Sequence, residues 1–218
     1  GNNATGARSA FVPLQFWFNR NVGLALPLIA LQYHEVKLNV TFGASATATS
    51  KLWVDYIYLD TEERKRFAQM SHEYLIDQLQ FPGSETLGGT SSRIRLNFNH
   101  PVKEIVFEPN AHADGPKMTD IKLMLNGHDR FAARNARYFT KLQKYYHHTN
   151  LTVDDVYVYS FALRPEEHQP SGTCNFSRID NATLSLSHTV NVTSLDVYAV
   201  NYNVLRVVSG MGGLAYSN

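Results

Sequence analysis

Residues 11–42, FVPLQFWFNRNVGLALPLIALQYHEVKLNVTF, join an aromatic run, Phe11–Phe18, to a short apolar connection and then to a segment of strict alternation. In that last segment Val36, Leu38, Val40 and Phe42 alternate with Glu35, Lys37, Asn39 and Thr41. Side chains on a strand point to opposite faces in turn, so this pattern predicts a strand over His34–Phe42 with one apolar and one wet face. The density of aromatics predicts a second strand over Phe11–Phe18, ended by Asn19-Arg20-Asn21 and Gly23.

The same reading carries along the chain. An aromatic strand is predicted over Leu52–Leu59, and Asp60-Thr61-Glu62-Glu63 is a helix-start composition, predicting a short helix near Thr61–Met70. Further strands are predicted at Tyr74–Gln80, Arg93–Asn99, Glu104–Glu108, Ile121–Leu125, Val156–Leu163, Ala182–His188, Asp196–Tyr202 and Val204–Val208. The breaks between them include Pro82-Gly83, Gly88-Gly89, His100-Pro101 and Asn126-Gly127. Arg134–Tyr145 is predicted as a helix. Short strands with regular turn signals favour an all-β, antiparallel sandwich of jelly-roll type, with short helices in the insertions between strands. Residues 1–10 have the composition of a flexible connector and 11–218 read as one domain, for there is no internal repeat, low-complexity tract or second composition regime.

Composition bounds the function. The chain of 218 residues is 44% hydrophobic and carries 20 basic and 19 acidic side chains, so it can bury a large core and has no general electrostatic reason to seek nucleic acid or anionic lipid. One cysteine, Cys174, excludes an intrachain disulfide and fits a reducing compartment. The longest apolar run, Val22–Leu31, is interrupted by Gly23 and Pro27 and falls short of the roughly 20 residues a bilayer-spanning helix needs.

No catalytic, cofactor or metal site emerges. No nearby carboxylate or cysteine completes a metal-ligand pattern with His147-His148, and adjacent side chains on a strand would face opposite ways, so a structural or surface role is expected. The HxH pair of metal-binding cupins is missing. His128-Asp129-Arg130 has no nucleophile elbow beside it and reads as a turn or loop salt bridge. The acid pairs Glu62-Glu63, Asp154-Asp155 and Glu166-Glu167 read as solvated acids, and Ser209–Gly213 lacks the lysine and hydroxyl of a phosphate loop. Six Asn-x-Ser/Thr sequences begin at Asn3, Asn39, Asn150, Asn175, Asn181 and Asn191. A glycan needs an exposed asparagine, which favours the loop positions Asn150, Asn175 and Asn181 over Asn191 and the strand position Asn39.

Four ordered blocks carry a family resemblance: Phe11–Phe42; Leu125–Phe131 (LNGHDRF); Tyr157–Arg164 with Gln169–Arg178 (YVYSFALR, QPSGTCNFSR); and Tyr202–Asn218 (YNVLRVVSGMGGLAYSN). In order and wording the chain resembles the major capsid proteins of nucleocytoplasmic large DNA viruses, with an algal-virus, phycodnavirus-like flavour. The resemblance implies a structural protein and no enzyme, this chain covering the second of two consecutive jelly rolls. It further implies homotrimers of pseudo-hexagonal outline that tile an icosahedral shell beside neighbouring capsomers and minor capsid proteins. Also implied are assembly in the host cytoplasm, an indirect association with an internal viral membrane, surface glycans added by virus-encoded enzymes, no direct nucleic-acid contact and no cofactor. Loops at about 43–50, 82–92, 109–120 and 164–180 are the expected interface or outer surfaces. The alternative from the residues alone is a carbohydrate-binding or glycan-processing sandwich, suggested by Trp17, Trp53 and the acid pairs, although both tryptophans lie in apolar runs where core packing is the commoner use.

Overall fold

The computed structural model describes residues 11–42, 50–110, 117–150, 155–189 and 192–217. In chain order the elements are α1 (Trp17–Arg20), a 3-10 turn (Val22–Leu24), α2 (Thr61–Gln69), β1 (His72–Gln80), β2 (Ser84–Thr86), β3 (Ser91–Arg95), β4 (Pro101–Asn110), β5 (Met118–Leu125), β6 (His128–Asp129) and β7 (Arg134–Asn135). A π-helical turn (Tyr138–Leu142) then runs into α3 (Gln143–His147), followed by β8 (Tyr157–Ser160), β9 (Cys174–Asn175), a 3-10 turn (Phe176–Arg178), β10 (Ala182–His188), β11 (Ser194–Val208) and β12 (Met211–Leu214).

By compactness the chain divides into two units. One unit comprises residues 1–74 and 205–213, the other 75–204 and 214–218. The strands form two antiparallel sheets: β1-β11-β4-β8, with β2 and β12 on β11 and β9 on β4, and β3-β10-β5-β6, with β7 on β5. This is the predicted all-β architecture, with short helices between strands.

The core of the larger unit follows from alternation. On β10, Ala182, Leu184, Leu186 and His188 are buried while Thr183, Ser185 and Ser187 are half-buried. Across from Leu184 and Leu186 on β5 stand Leu123 and Ile121, both buried. From the first sheet Val102, Ile105, Phe107, Leu195, Val197 and Ala199 join the same cluster. Each such aliphatic or aromatic side chain contributes roughly 1.5–3 kcal/mol on burial. Phe107 stacks on Tyr157 with ring centroids 5.5 Å apart, and Phe139 from the π-helical turn packs 6.0 Å from Phe107.

Local chemistry sets the turns. Asn126 (φ 51°) and Gly127 (φ 80°) both take left-handed backbone, as the two-residue loop joining β5 to β6 requires. Ser209 (φ 53°) and Gly210 (φ 82°) do the same between β11 and β12. At α2 the Asp60 carboxylate accepts from the Glu63 N–H at 2.9 Å, and Glu62 and Glu63 occupy the positive end of the helix.

Several predicted elements differ. Phe11–Phe18 is not a strand: its end, Trp17–Arg20, is one helical turn, with Asn19 N–H bonded to Phe16 O at 3.1 Å. Residues 34–42 and 52–59 join no ladder, and apart from the half-buried Leu59 their apolar side chains are exposed, from Leu38 at 38% to Tyr58 at 88%. Trp53, expected in a core, is 80% exposed. Alternation describes what a strand would present on each face; the ladder itself needs a partner backbone, which these segments lack among the described residues. Arg134-Asn135 pairs as β7, so the predicted helix begins only at Tyr138. The two predicted strands 196–202 and 204–208 are one strand, because Asn203 Nδ2 donates to Gln78 Oε1 at 3.0 Å and to Tyr216 O at 2.9 Å, which lets a buried amide continue the ladder. The predicted connector 1–10 and most of the loop 43–50 lie outside the described residues, as does the middle of 109–120.

Candidate functional site

The chemistry of the larger unit gathers at the outer edge of its first sheet. β8 is the end of the path β1-β11-β4-β8 and would present free backbone donors. The insertion 138–147 covers it. Gln143 Oε1 accepts from the Ser160 N–H at 3.0 Å, and Gln143 Nε2 donates to the Tyr138 hydroxyl at 2.9 Å. Phe139, fully buried, anchors the insertion between Phe107 and Phe131.

Beside it β4 carries a bulge. Its register on β11 runs Glu104↔Val200 and then Val102↔Asn201, which leaves Lys103 as the extra residue. The irregularity lets Val102 and Ile105, three apart, both face the core, and it buries Lys103 to 1% exposure. Lys103 Nζ lies 3.0 Å from Asp77 Oδ1 and donates to Pro165 O at 3.0 Å, with the Tyr202 ring centroid 4.8 Å away. Burial, and then the negative charge of Asp77, push the Tyr202 hydroxyl up to about 12.

Glu104, next on β4, meets His148 just beyond α3. His148 Nε2 is 3.0 Å from Glu104 Oε2, and His148 Nδ1 is 3.1 Å from Glu166 Oε1 in the following loop. Glu166 Oε2 accepts from both the N–H and the hydroxyl of Thr149, at 3.0 and 2.8 Å. His147 Nδ1 lies 3.0 Å from Leu163 O. Thus the histidine pair sits at a helix end rather than on a strand, and the two imidazoles serve different partners. The carboxylates that the sequence did not place near His148 lie 44 and 18 positions away along the chain. No local signal could have found them; only β4 and the loop meeting at the end of α3 does.

Other titratable groups are tied into the structure. Asp129 pairs with Lys122 at 2.8 Å, Asp155 with Lys117 at 3.0 Å, Glu62 with Lys65 at 3.0 Å and Glu167 with Arg164 at 3.1 Å. Asp154 lies outside the described residues. Ser92 Oγ is 3.0 Å from His188 Nε2, whose Nδ1 lies 3.0 Å from Thr189 O, tying β3 to the end of β10. Among the described residues no group of three or more His, Cys, Asp or Glu is arranged to hold a metal ion, and no helix is long and apolar enough to cross a membrane. Burial raises the Cys174 thiol above its ordinary range, against the opposing pull of Arg130.

Of the sequon asparagines, Asn39, Asn150, Asn175 and Asn181 are exposed, whereas Asn3 and Asn191 lie outside the described residues. Asn175 Oδ1 accepts from the Ser177 N–H at 3.1 Å, and Asn181 Oδ1 from the Thr183 hydroxyl at 3.0 Å. Of the predicted surface loops, 82–92 contributes β2 and the start of β3. The loop 164–180 holds β9 and the turn 176–178 and docks through Lys103, His148 and Thr149.

Comparisons with known proteins agree with this architecture. Residues 63–213 match the family model described as large eukaryotic DNA virus major capsid protein, and residues 2–60 match one described as major capsid protein N-terminus. The chain is 55% identical to a major capsid protein of Pyramimonas orientalis virus, covering 98% of this chain and 63% of the relative. It is 44% identical to that of Paramecium bursaria Chlorella virus 1, covering 100% of this chain and 69% of the relative. The chain therefore spans about two thirds of the length of the relatives it matches. The solved PBCV-1 virus capsid superposes with a TM-score of 0.79 at 41% identity, over 95% of this chain and 70% of that one. The Faustovirus major capsid protein shares the fold at 12% identity, with a TM-score of 0.59. The relatives are structural components of the virion, and the sugar-handling alternative finds no support among them. With its paired sheets, its ordered sequence blocks and these matches, the chain belongs to the family of major capsid proteins of large eukaryotic DNA viruses.

Proposed function

We propose that the parent of this chain is a non-enzymatic subunit of an icosahedral shell, forming trimers of pseudo-hexagonal outline that tile it beside minor capsid proteins, and that the larger unit is the second of its two jelly rolls. The observation that carries the reading is the two-sheet sandwich whose edge and bulge are held by Gln143 and Lys103, and whose long loops are anchored to the core through Leu87 and Phe176. Antiparallel sheets resist deformation while their loops vary without rebuilding the core, which is what a tiled shell asks of its subunits. The loops 82–92 and 164–180 then serve as contacts between subunits or as outer surface. Assembly in the host cytoplasm, an indirect association with an internal viral membrane and glycans on Asn150, Asn175 or Asn181 belong to the same proposal; Asn39 and Asn191 are the weaker glycan sites.

The strand-patterned, exposed segments 34–42 and 52–59 take their ladder partners from parent polypeptide outside this chain. Their match to the family's N-terminal model, together with the greater length of the relatives, supports this.

Light scattering coupled to size-exclusion chromatography on the full-length parent, followed by negative-stain imaging, tests the proposal. A trimer of hexagonal outline is expected; a stable monomer would overturn it.

A further inference from the structure

His148 sits where three parts of the larger unit converge: β4, the end of α3, and the loop 163–171. Both of its ring nitrogens face carboxylate oxygens, Glu104 Oε2 at 3.0 Å and Glu166 Oε1 at 3.1 Å. Carboxylates accept and do not donate, so each nitrogen must carry a proton. A neutral imidazole has only one; its second nitrogen would turn a lone pair toward an anion. Only the imidazolium turns an N–H toward both carboxylates, and the Glu104 side has little water to take its place, for the side chains of His148 and Glu104 are 16% and 11% exposed.

We propose that His148 is a pH-operated clasp, which in its doubly protonated form holds the loop 163–171 against β4 and α3 and on losing a proton lets the Glu166 arm go. The loop is otherwise tied at few points. Leu163 O faces His147 Nδ1 at 3.0 Å, Pro165 O accepts from Lys103 Nζ at 3.0 Å, and Arg164 and Ser171 bond each other across the loop mouth. Glu166 is the one side chain of the loop that grips the helix end, through His148 and Thr149.

The charged groups around the ring are few. Glu104 faces it from β4 and Glu166 from the loop. Lys103, next to Glu104, is engaged by Asp77 and Pro165, and Lys144 on α3 offers His148 its backbone carbonyl at 2.9 Å. The close contact with Glu104 raises the affinity of His148 for its proton; burial opposes this, and the charge of Glu104 and the contact with Glu166 add to it. A raised histidine gives a contribution fully present below the ordinary value of 6.5 and lost as pH climbs through the folded value. At Glu166 burial acts upward, but the Thr149 hydroxyl and N–H and then His148 outweigh it and hold the carboxyl below its ordinary 4.5. The acid edge of the clasp therefore lies below that value, and the alkaline edge above 6.5.

Amide hydrogen exchange on the full chain from pH 5.5 to 9, corrected for intrinsic rates, tests the clasp together with ring nitrogen-15 shifts of His148. The expected result is two protonated ring nitrogens at pH 6 and a loss of protection across 163–171 that begins near 6.5, reaches at most about tenfold per pH unit on the way up to the folded-state midpoint of His148, and levels off above it. The same loop in His148→Gln should exchange faster at pH 6 and show no such pH dependence. A bare ring nitrogen at pH 6, loop protection that is flat with pH, or an unchanged pH profile in His148→Gln would overturn the proposal. Should that variant fail to fold, Glu166→Gln decides. A lowered His148 midpoint with faster loop exchange at pH 6 supports the clasp, and no change in either refutes it.

Discussion

Replacing Asp77 by Asn removes a charge from beside one of the most buried cations in the protein. Lys103 is 1% exposed, and its Nζ has Asp77 Oδ1 at 3.0 Å, the Pro165 carbonyl at 3.0 Å and the Tyr202 ring at 4.8 Å. Breaking a buried pair by removing one partner typically costs about 3–5 kcal/mol, because the remaining charge stays desolvated without compensation. The carbonyl and the ring still face Lys103, and the Asp77 side chain is 14% exposed, which places the loss near the lower end, about 3 kcal/mol. With a urea m-value of roughly 2–3 kcal/mol/M, the midpoint should fall by about 1–1.5 M. The larger unit is best followed directly, through exchange of the β4 amides against urea. The double variant Asp77→Leu/Lys103→Met buries no charge and should recover most of the loss. A double-mutant cycle should give a coupling of about 1.5–3 kcal/mol. A coupling below about 0.5 kcal/mol would refute the view that the bulge is held by this pair.

Phe139→Ala empties a fully buried aromatic site between Phe107 and Phe131, and should cost about 3–5 kcal/mol and loosen the cover over β8, read as lower thermal stability and faster exchange at Ser160. Gly210→Ala meets two obstacles: φ is 82°, and a Cβ there would stand 2.5 Å from Tyr33 Cδ2. A loss of at least about 1–2 kcal/mol is expected in the smaller unit, and a wild-type urea midpoint in exchange of the β12 amides would contradict it. Tyr202, pushed up to about 12, makes a contribution present below the ordinary value of 10.0 and lost as pH rises through the folded value. Alkaline unfolding between pH 10 and 12 should therefore be shallower in Tyr202→Phe, as circular dichroism against pH would reveal.

The readable parts of the fold are those in which a residue's neighbours in sequence carry the information. The alternation on β5 and β10 announces their faces, Asn126-Gly127 announces the hairpin, and Asp60 with its acidic followers announces α2, since strand pleat, left-handed backbone and helix capping are local physics. The four ordered blocks likewise announced the family. Where two reasonable local preferences compete, the reading slipped. Asn203 looked like a break in a strand, and the residues from Arg134 onward looked helical, until Gln78 and Tyr216 satisfied the one and β5 captured the other.

The sequence by itself thus determined the class of the fold, the family and the absence of a disulfide framework, because these rest on periodicity, ordered motifs and a count of cysteines. Tertiary structure alone decided which strand-patterned segments pair and which stay exposed. It also turned Lys103 inward at a bulge and brought Glu104 and Glu166 to the two sides of His148. Pairing partners and buried charges are matters of distance in space, and residues 44 and 18 positions apart carry no mark that they will meet.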